Sequence, residues 1–222
     1  MALQGQGITT SLAIVPYEEK NILPHEKSSR HFKIADQDFL IEQDWQGLGV
    51  AAVVWDSAIV LAEYLSKNQH LVEGKKVLEL GAGTGLTGLV AAALGAEVVV
   101  TERDVAMNHL SATIEKNTVN KSWKISAQVL DWTEEVDAQR FSDLDVILGA
   151  DIIYIEDTFQ DLLRTINSLS SSGKVLILLS CRIRYDRDTN FLSMLSQQFD
   201  IEEVLLDKDK KIKIFSVKRK MY

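Results

Sequence analysis

Five short segments of this chain read as strands, and several are apolar at nearly every position: KVLELGAG (76–83), EVVVTE (97–102), KISAQVLDW (124–132), DVILGAD (145–151) and KVLILLS (174–180). Unbroken apolar runs suit parallel strands covered on both faces. Helical patterns lie between them. In DTFQDLLRTINSLS, Phe159, Leu162, Leu163, Ile166 and Leu169 fall on one helical face, with Asp157 or Thr158 placed to cap it. Phe191, Leu192, Leu195 and Phe199 mark a second such face. This repeating order predicts an α/β fold, a doubly wound and mostly parallel sheet with right-handed crossovers. The two flanks differ. RHFKI and DFLIEQDW (30–45) predict an N-terminal β-hairpin ahead of a helix starting near Trp55, and EEVLLD with KKIKIFSVK (202–218) predict a terminal antiparallel pair. The basic stretch KDKKIKIFSVKRK (208–220) reads as the exposed edge of that pair rather than a nucleic-acid arm, because Ile212, Ile214, Phe215 and Val217 interleave it.

A chain of 222 residues suits one well-buried domain, here 1–222, with an irregular segment over 1–25 and the main fold over 54–222. The formal charge of −8 argues against a non-specific binder of phosphate backbones. The one cysteine, Cys181, cannot form an internal disulfide, and the first 25 residues hold no signal-peptide core. Apolar runs such as Leu89 to Ala96 fall far short of the roughly 20 residues that span a bilayer. The expectation is a soluble protein of the cytoplasm or nucleus, with neither membrane nor nucleic acid as partner. His25, His31, His70 and His109 are scattered, so no metal site is expected, and no Gly-x-Ser-x-Gly elbow marks a hydrolase.

The strongest chemical signal is VLELGAGTGLTG (77–88). Gly81, Gly83 and Gly85 stand at alternate positions where a strand turns into a helix, so a ligand can approach the main chain. A phosphate-gripping loop needs Lys and Ser/Thr after its last glycine, but Leu89 follows Gly88. A dinucleotide fingerprint needs a glycine where Leu86 stands. The remaining pattern, led by Glu79, suits an adenosyl ligand without a pyrophosphate; a glycine-rich turn with no ligand is the plain alternative. Glu102 ends the next strand about 20 residues beyond the first glycine, the distance at which a carboxylate reaches a ribose diol. The segment ILGADIIY (147–154) ends another strand on Asp151 and Tyr154. Ligands of open α/β sheets sit beyond such strand ends.

ELGAGTG, TER, LDW and GADIIY, in this order, resemble the S-adenosylmethionine-dependent protein-lysine methyltransferases of the methyltransferase-like 21 group. VPYEE (15–19), QDWQGLGVAAVVWDSAIVL (43–61) and CRIRYDRDTNFLSML (181–195) extend the resemblance to the member acting on DnaK-type heat-shock chaperones. The resemblance implies a class I, Rossmann-like fold, S-adenosylmethionine as cofactor and a chaperone as protein partner. It assigns cofactor contacts to Trp55, Gly81, Ala82, Gly83, Trp132 and Ala150, with Asp131 a weaker candidate, and the ribose to Glu102, where close relatives carry Asp.

A free lysine has a pKa near 10.4, so only about one side chain in a few thousand is neutral at pH 7. Methyl transfer needs the neutral amine, and Asp151 is placed to orient it and accept or relay its proton, with Tyr154 walling the channel. Nucleic-acid methyltransferases often carry Asn/Asp-Pro-Pro-aromatic at this strand end; here Ile152 and Ile153 fill the middle. Arg182, Arg184 and Arg187 follow the next strand, placed to read an acidic protein surface. Two other classes remain open: a nicotinamide-dependent oxidoreductase, disfavoured by Leu86 and the lack of a Tyr-x-x-x-Lys pair, and a non-catalytic chaperone-binding module.

Overall fold

The computed structural model describes residues 23–220. VPYEE and most of the irregular segment expected over 1–25 lie outside the described residues. A hairpin comes first, β1 (Ser29–Ile34) and β2 (Gln37–Glu42), followed by a single helical turn, α1 (Trp45–Leu48). Then come α2 (Asp56–Lys67), β3 (Lys76–Leu80), α3 (Leu86–Ala93), β4 (Glu97–Glu102), α4 (Asp104–Thr118) and β5 (Lys124–Val129). The second half contains β6 (Val146–Ala150), α5 (Phe159–Leu169), β7 (Leu176–Cys181), α6 (Asp186–Ser196), β8 (Phe199–Asp207) and β9 (Ile212–Arg219).

The main sheet has the order β5-β4-β3-β6-β7-β9-β8. Strands β3 to β7 pair in parallel, and β9 and β8 close one side antiparallel, as the sequence pattern predicts. Both faces are covered. Phe39, Ile41, Leu61, Leu65, Leu89 and Leu110 build the core on one side, and Leu162, Ile166, Phe191 and Leu195 build it on the other. Burying each such side chain stabilises the fold by about 1.5–3 kcal/mol, which fixes how helices sit on the sheet.

Some local expectations give way to tertiary context. Phe199 does not belong to the helical face with Leu195: α6 ends at Ser196, and Phe199 begins β8, where it is fully buried. The strand expected to run through 132 stops at Val129. The basic C-terminal stretch is not a sheet edge, because β9 lies between β7 and β8 and buries Ile212, Ile214, Phe215 and Val217. Thr158 precedes α5, but its hydroxyl donates backward to the Ile155 carbonyl (2.9 Å), and Asp157 lies in the preceding 3₁₀ turn.

The hairpin carries a positional consequence. Asn117 of α4 pairs its side-chain amide with the backbone N–H and C=O of Leu40, both at 2.9 Å, which ties β2 to the main domain. Gln43 then accepts from the Val54 N–H (2.9 Å) and donates to the Pro24 and Lys27 carbonyls (both 2.8 Å). Those bonds fix residues 50–55 over the carboxyl ends of the strands.

Candidate active site

The order β5-β4-β3 runs outward one way and β6-β7 the other, so the chain reverses between β3 and β6. A crevice opens beyond the carboxyl ends of strands at such a switch point. Register pairs Leu80 with Gly149, so the glycine loop after β3 and the Ala150–Asp151 segment after β6 leave the sheet side by side. Between them lies a cavity of about 380 Å³, within the range of small-molecule sites. Its walls include Trp55, Gly81, Ala82, Gly83, Glu102, Trp132, Ala150, Asp151 and Tyr154, so the structure brings nine of the twelve expected site residues together.

One side of the cavity is built mainly from backbone. Gly81 and Gly83 take φ of +59° and +55°, the left-handed region that side chains rarely enter. A Cβ on Gly81 would stand 2.9 Å from Ile152 and 3.2 Å from the Trp132 ring, and one on Gly83 would lie 3.3 Å from the Ala51 carbonyl. A side chain at either position would be strained and would press on the residues that wall the cavity. Glu102 accepts from the Gly83 N–H (3.0 Å) and from the Arg103 N–H (2.9 Å), which holds its carboxylate at the cavity wall. Trp55 precedes α2 and donates its indole N–H to the Val50 carbonyl (3.0 Å), fixing the ring over the opening. A flat aromatic, a glycine cradle and a carboxylate beside it fit an adenosyl group with its ribose.

Three expected residues stand behind the wall. Glu79 is buried on β3 and accepts from the Gly88 N–H (2.8 Å), bracing α3 beneath the glycine loop. Burial pushes its carboxyl up to about 8, partly offset by that N–H. Gly85 abuts Leu110 of α4, where a Cβ would stand 2.8 Å from the leucine methyl. Asp131 turns back on its own chain, accepting from the N–H and hydroxyl of Thr133 (2.9 and 2.7 Å). Spacing along a chain does not reveal on which side of a loop a side chain emerges.

The opposite side is built from side chains. Asp151 has φ +56°, a strained position for a non-glycine residue. Its N–H donates to the Ser180 carbonyl on β7 (2.7 Å). Its carboxylate is engaged by Arg184, at 3.3 Å from Nη1 to Oδ1 and 3.2 Å from Nη2 to Oδ2. It caps no helix. Tyr154 lines the same cavity; burial raises its phenol pKa, Arg103 lowers it and Glu102 raises it, with a net rise. Of the three arginines expected to face outward, Arg182 pairs with Asp56 (3.3 Å), Arg187 sits over the Tyr185 ring (4.7 Å), and Arg184 turns inward onto Asp151. The sequence hint for that inward turn was adjacency alone, since β7 is the next strand after β6.

A family model described as "Lysine methyltransferase" matches residues 33–198. Protein N-lysine methyltransferase METTL21A of Danio rerio is 46% identical over 94% of this chain and 98% of its own length. The enzyme of the same name from Mus musculus is 44% identical over 94% and 97%. EEF1A lysine methyltransferase 3 of Xenopus tropicalis is 36% identical over 85% and 84%. Among solved structures, a Thermus thermophilus 16S rRNA methyltransferase in complex with AdoMet and guanosine superposes with a TM-score of 0.57 at 20% identity. That match covers 86% of this chain and half of the larger protein, and at this identity it speaks for the fold alone. A fold of class I methyltransferases, a cradle that suits an adenosyl ligand and relatives of this identity over nearly the whole chain agree with one another and leave no place for a nicotinamide enzyme or an inert module. The chain belongs to the lysine methyltransferase family, as a METTL21-type enzyme that uses S-adenosylmethionine to methylate protein lysines.

Proposed function

We propose that this enzyme methylates a lysine of a folded DnaK-type chaperone, and that Asp151 receives the lysine amine with Tyr154 shaping its channel. One observation carries the site reading: Asp151, Tyr154 and the glycine cradle line a single cavity at the switch point of the sheet. Held by the glycine cradle, Glu102 and Trp55, S-adenosylmethionine would supply an electrophilic methyl group on a sulfonium. The protein's own task is to present a neutral amine in line and exclude competing water. Holding a lysine neutral at pH 7 corresponds to roughly 4–5 kcal/mol, at about 1.36 per pH unit. Asp151, mostly buried in the cavity wall, is positioned to orient the amine and relay its proton toward solvent. Glu102 is suited to the ribose, Trp55 and Trp132 to the flat and aliphatic parts of the cofactor, and Ala150 leaves room beside them.

The chaperone reading is supported by the resemblance over 43–61 and 181–195 and by the higher identity to the METTL21A enzymes, 44–46% against 32–36% for the EEF1A enzymes. The test is incubation with radiolabelled S-adenosylmethionine and purified DnaK-type chaperone or EEF1A, in separate reactions. Label on one lysine of the intact chaperone, and far less on a peptide around that lysine, is the expected result. A folded surface supplies orientation that a flexible peptide must lose entropy to reach. Label on EEF1A alone would overturn the chaperone as substrate.

A further inference from the structure

The carboxylate best placed to meet the substrate lysine is already held by a permanent cation. We propose that Arg184 is a positioning residue that keeps Asp151 from trapping the incoming lysine as an ammonium ion, and so sets the fraction of bound substrate that is reactive. This rests on the reading that the target lysine arrives at Asp151.

The geometry is a built one. Arg184 meets both carboxylate oxygens of Asp151 through its two terminal nitrogens, a forked arrangement across two adjacent strand ends. The loop that presents Arg184 is clamped at its base. The buried carboxylate of Asp188, in the first turn of α6, accepts from the N–H groups of Arg184 (2.7 Å) and Tyr185 (3.1 Å). Partial burial works against the Arg184 charge, but Asp151 and Asp188 more than reverse it, so the guanidinium pKa lies above its ordinary value.

The neighbouring arginines of the same loop have partners of their own. Arg187 lies 3.6 Å from Asp188, and Arg182 is paired with Asp56. Glu102, held by the Gly83 and Arg103 N–H groups, and the Arg103 side chain line the same cavity near Tyr154. Cys181, at the end of β7, stays a neutral thiol, pushed up to about 12 chiefly by burial and also by Asp151 and Asp188, with Arg184 and Lys213 acting against them. Asp151 and Arg184 thus form the charged pair that an arriving lysine meets.

The chemistry gives the pair its purpose. A lone carboxylate beside a lysine stabilises the ammonium, binding the substrate well in its unreactive state. A fixed cation on the same carboxylate acts in the opposite sense. The ammonium gives up its proton, passed by way of Asp151 to water, and the nitrogen keeps the lone pair that methyl transfer requires. A unit charge about 6 Å away at an effective dielectric near 20 shifts a pKa by roughly two units. Arg184 is 35% exposed, so solvent screening brings the expectation to about one unit.

The experiment measures kcat and KM for DnaK-type chaperone methylation from pH 7 to 10, in wild type, Arg184→Gln and Arg184→Lys. In Arg184→Gln the rising limb of kcat should move up by about one pH unit, a roughly 10-fold loss at pH 7.5 that closes near pH 10, while KM at neutral pH falls or holds. Arg184→Lys, which keeps the charge, should restore the wild-type limb. A second readout needs no turnover. Calorimetry at pH 9, in two buffers of different ionisation enthalpy, counts protons released when the chaperone binds enzyme loaded with S-adenosylhomocysteine; Arg184→Gln should release fewer. An unmoved limb in Arg184→Gln, a pH-independent change in kcat/KM, as a mere gate or structural prop would give, or an Arg184→Lys limb displaced as far as the glutamine variant overturns the proposal. Asp151→Asn tests the underlying reading separately. Impaired turnover there with an unmoved Arg184→Gln limb sinks the Arg184 role alone, and normal turnover in Asp151→Asn sinks both. If wild type labels EEF1A instead of the chaperone, the same profiles are taken on EEF1A.

Discussion

The two sides of the cavity are made of different materials. The side after β3 presents glycine backbone, two indoles and a carboxylate locked by main-chain N–H groups, and it varies little in charge. The side after β6 and β7 presents side chains: an aspartate, an arginine and a tyrosine, set by a strained backbone at Asp151 and a clamp at Asp188. On the proposed reading, the first binds the cofactor and the second manages a proton. Damage to the first should appear as lost binding, and damage to the second as lost turnover with binding intact.

The largest break comes from filling the cradle. Gly83→Arg forces a long side chain into a left-handed backbone position facing the Ala51 carbonyl, at a local cost of about 1–2 kcal/mol that the fold can absorb. Calorimetry should detect no S-adenosylmethionine or S-adenosylhomocysteine binding, while circular dichroism remains near wild type. Retained micromolar affinity would show that the cradle is not the cofactor site.

Asp151→Asn is the matching change on the other side. Cofactor affinity should hold while turnover falls by roughly 10²–10⁴-fold, the usual range for a positioned acid–base group. Loss of cofactor binding in this variant would erase the division between the two sides.

Glu79 offers a sharper, non-catalytic test of the bracing beneath the cradle. Its folded pKa of about 8 lies above the ordinary 4.5, so the native state keeps a proton that the unfolded chain has already lost. Stability should therefore be fully present below about pH 4.5 as far as this group is concerned, and decline as pH rises toward 8. The slope is at most about 1.4 kcal/mol per pH unit. Glu79→Gln keeps an acceptor for the Gly88 N–H and should flatten that decline, melting several degrees higher than wild type at pH 8.5. Parallel melting curves across pH for the two proteins would mean the carboxyl is ionised and satisfied where it lies.

The smallest effect separates ring from hydroxyl. Tyr154→Phe should cost no more than a few-fold in turnover and Tyr154→Ala at least 10-fold, because the ring rather than the phenol forms the channel wall. A phenylalanine variant as impaired as alanine would assign the hydroxyl a direct bond to amine or cofactor.

The cradle was legible because its meaning is local. Gly81, Ala82 and Gly83 follow a strand and precede a helix, and a few consecutive residues determine the turn. The place of Glu102 in the cavity wall was legible through spacing, since one β-α-β unit sets its distance from the first glycine. Glu79, Gly85 and Asp131 belong to the same segments but brace the wall from behind, where α3, α4 and the Thr133 turn hold them. Local pattern says that a residue is near a loop, and packing decides which way it faces.

The β-α alternation, the parallel sheet with its antiparallel end, the glycine turn and the acid–tyrosine strand end were determined by the sequence alone, because periodicity and turn chemistry act over a few residues at a time. The burial of β9 between β7 and β8, the placing of Phe199 in a strand, the folding of residues 50–55 over the cavity by Gln43 and the capture of Asp151 by Arg184 were decided only by the tertiary structure. Each depends on contacts between segments far apart in the chain: Gln43 reaches across 11 residues to Val54, and Arg184 across 33 to Asp151. No local periodicity encodes such a meeting. It exists because burial of two apolar faces fixes the order of the strands, and that order brings their ends, with the charges they carry, into one crevice.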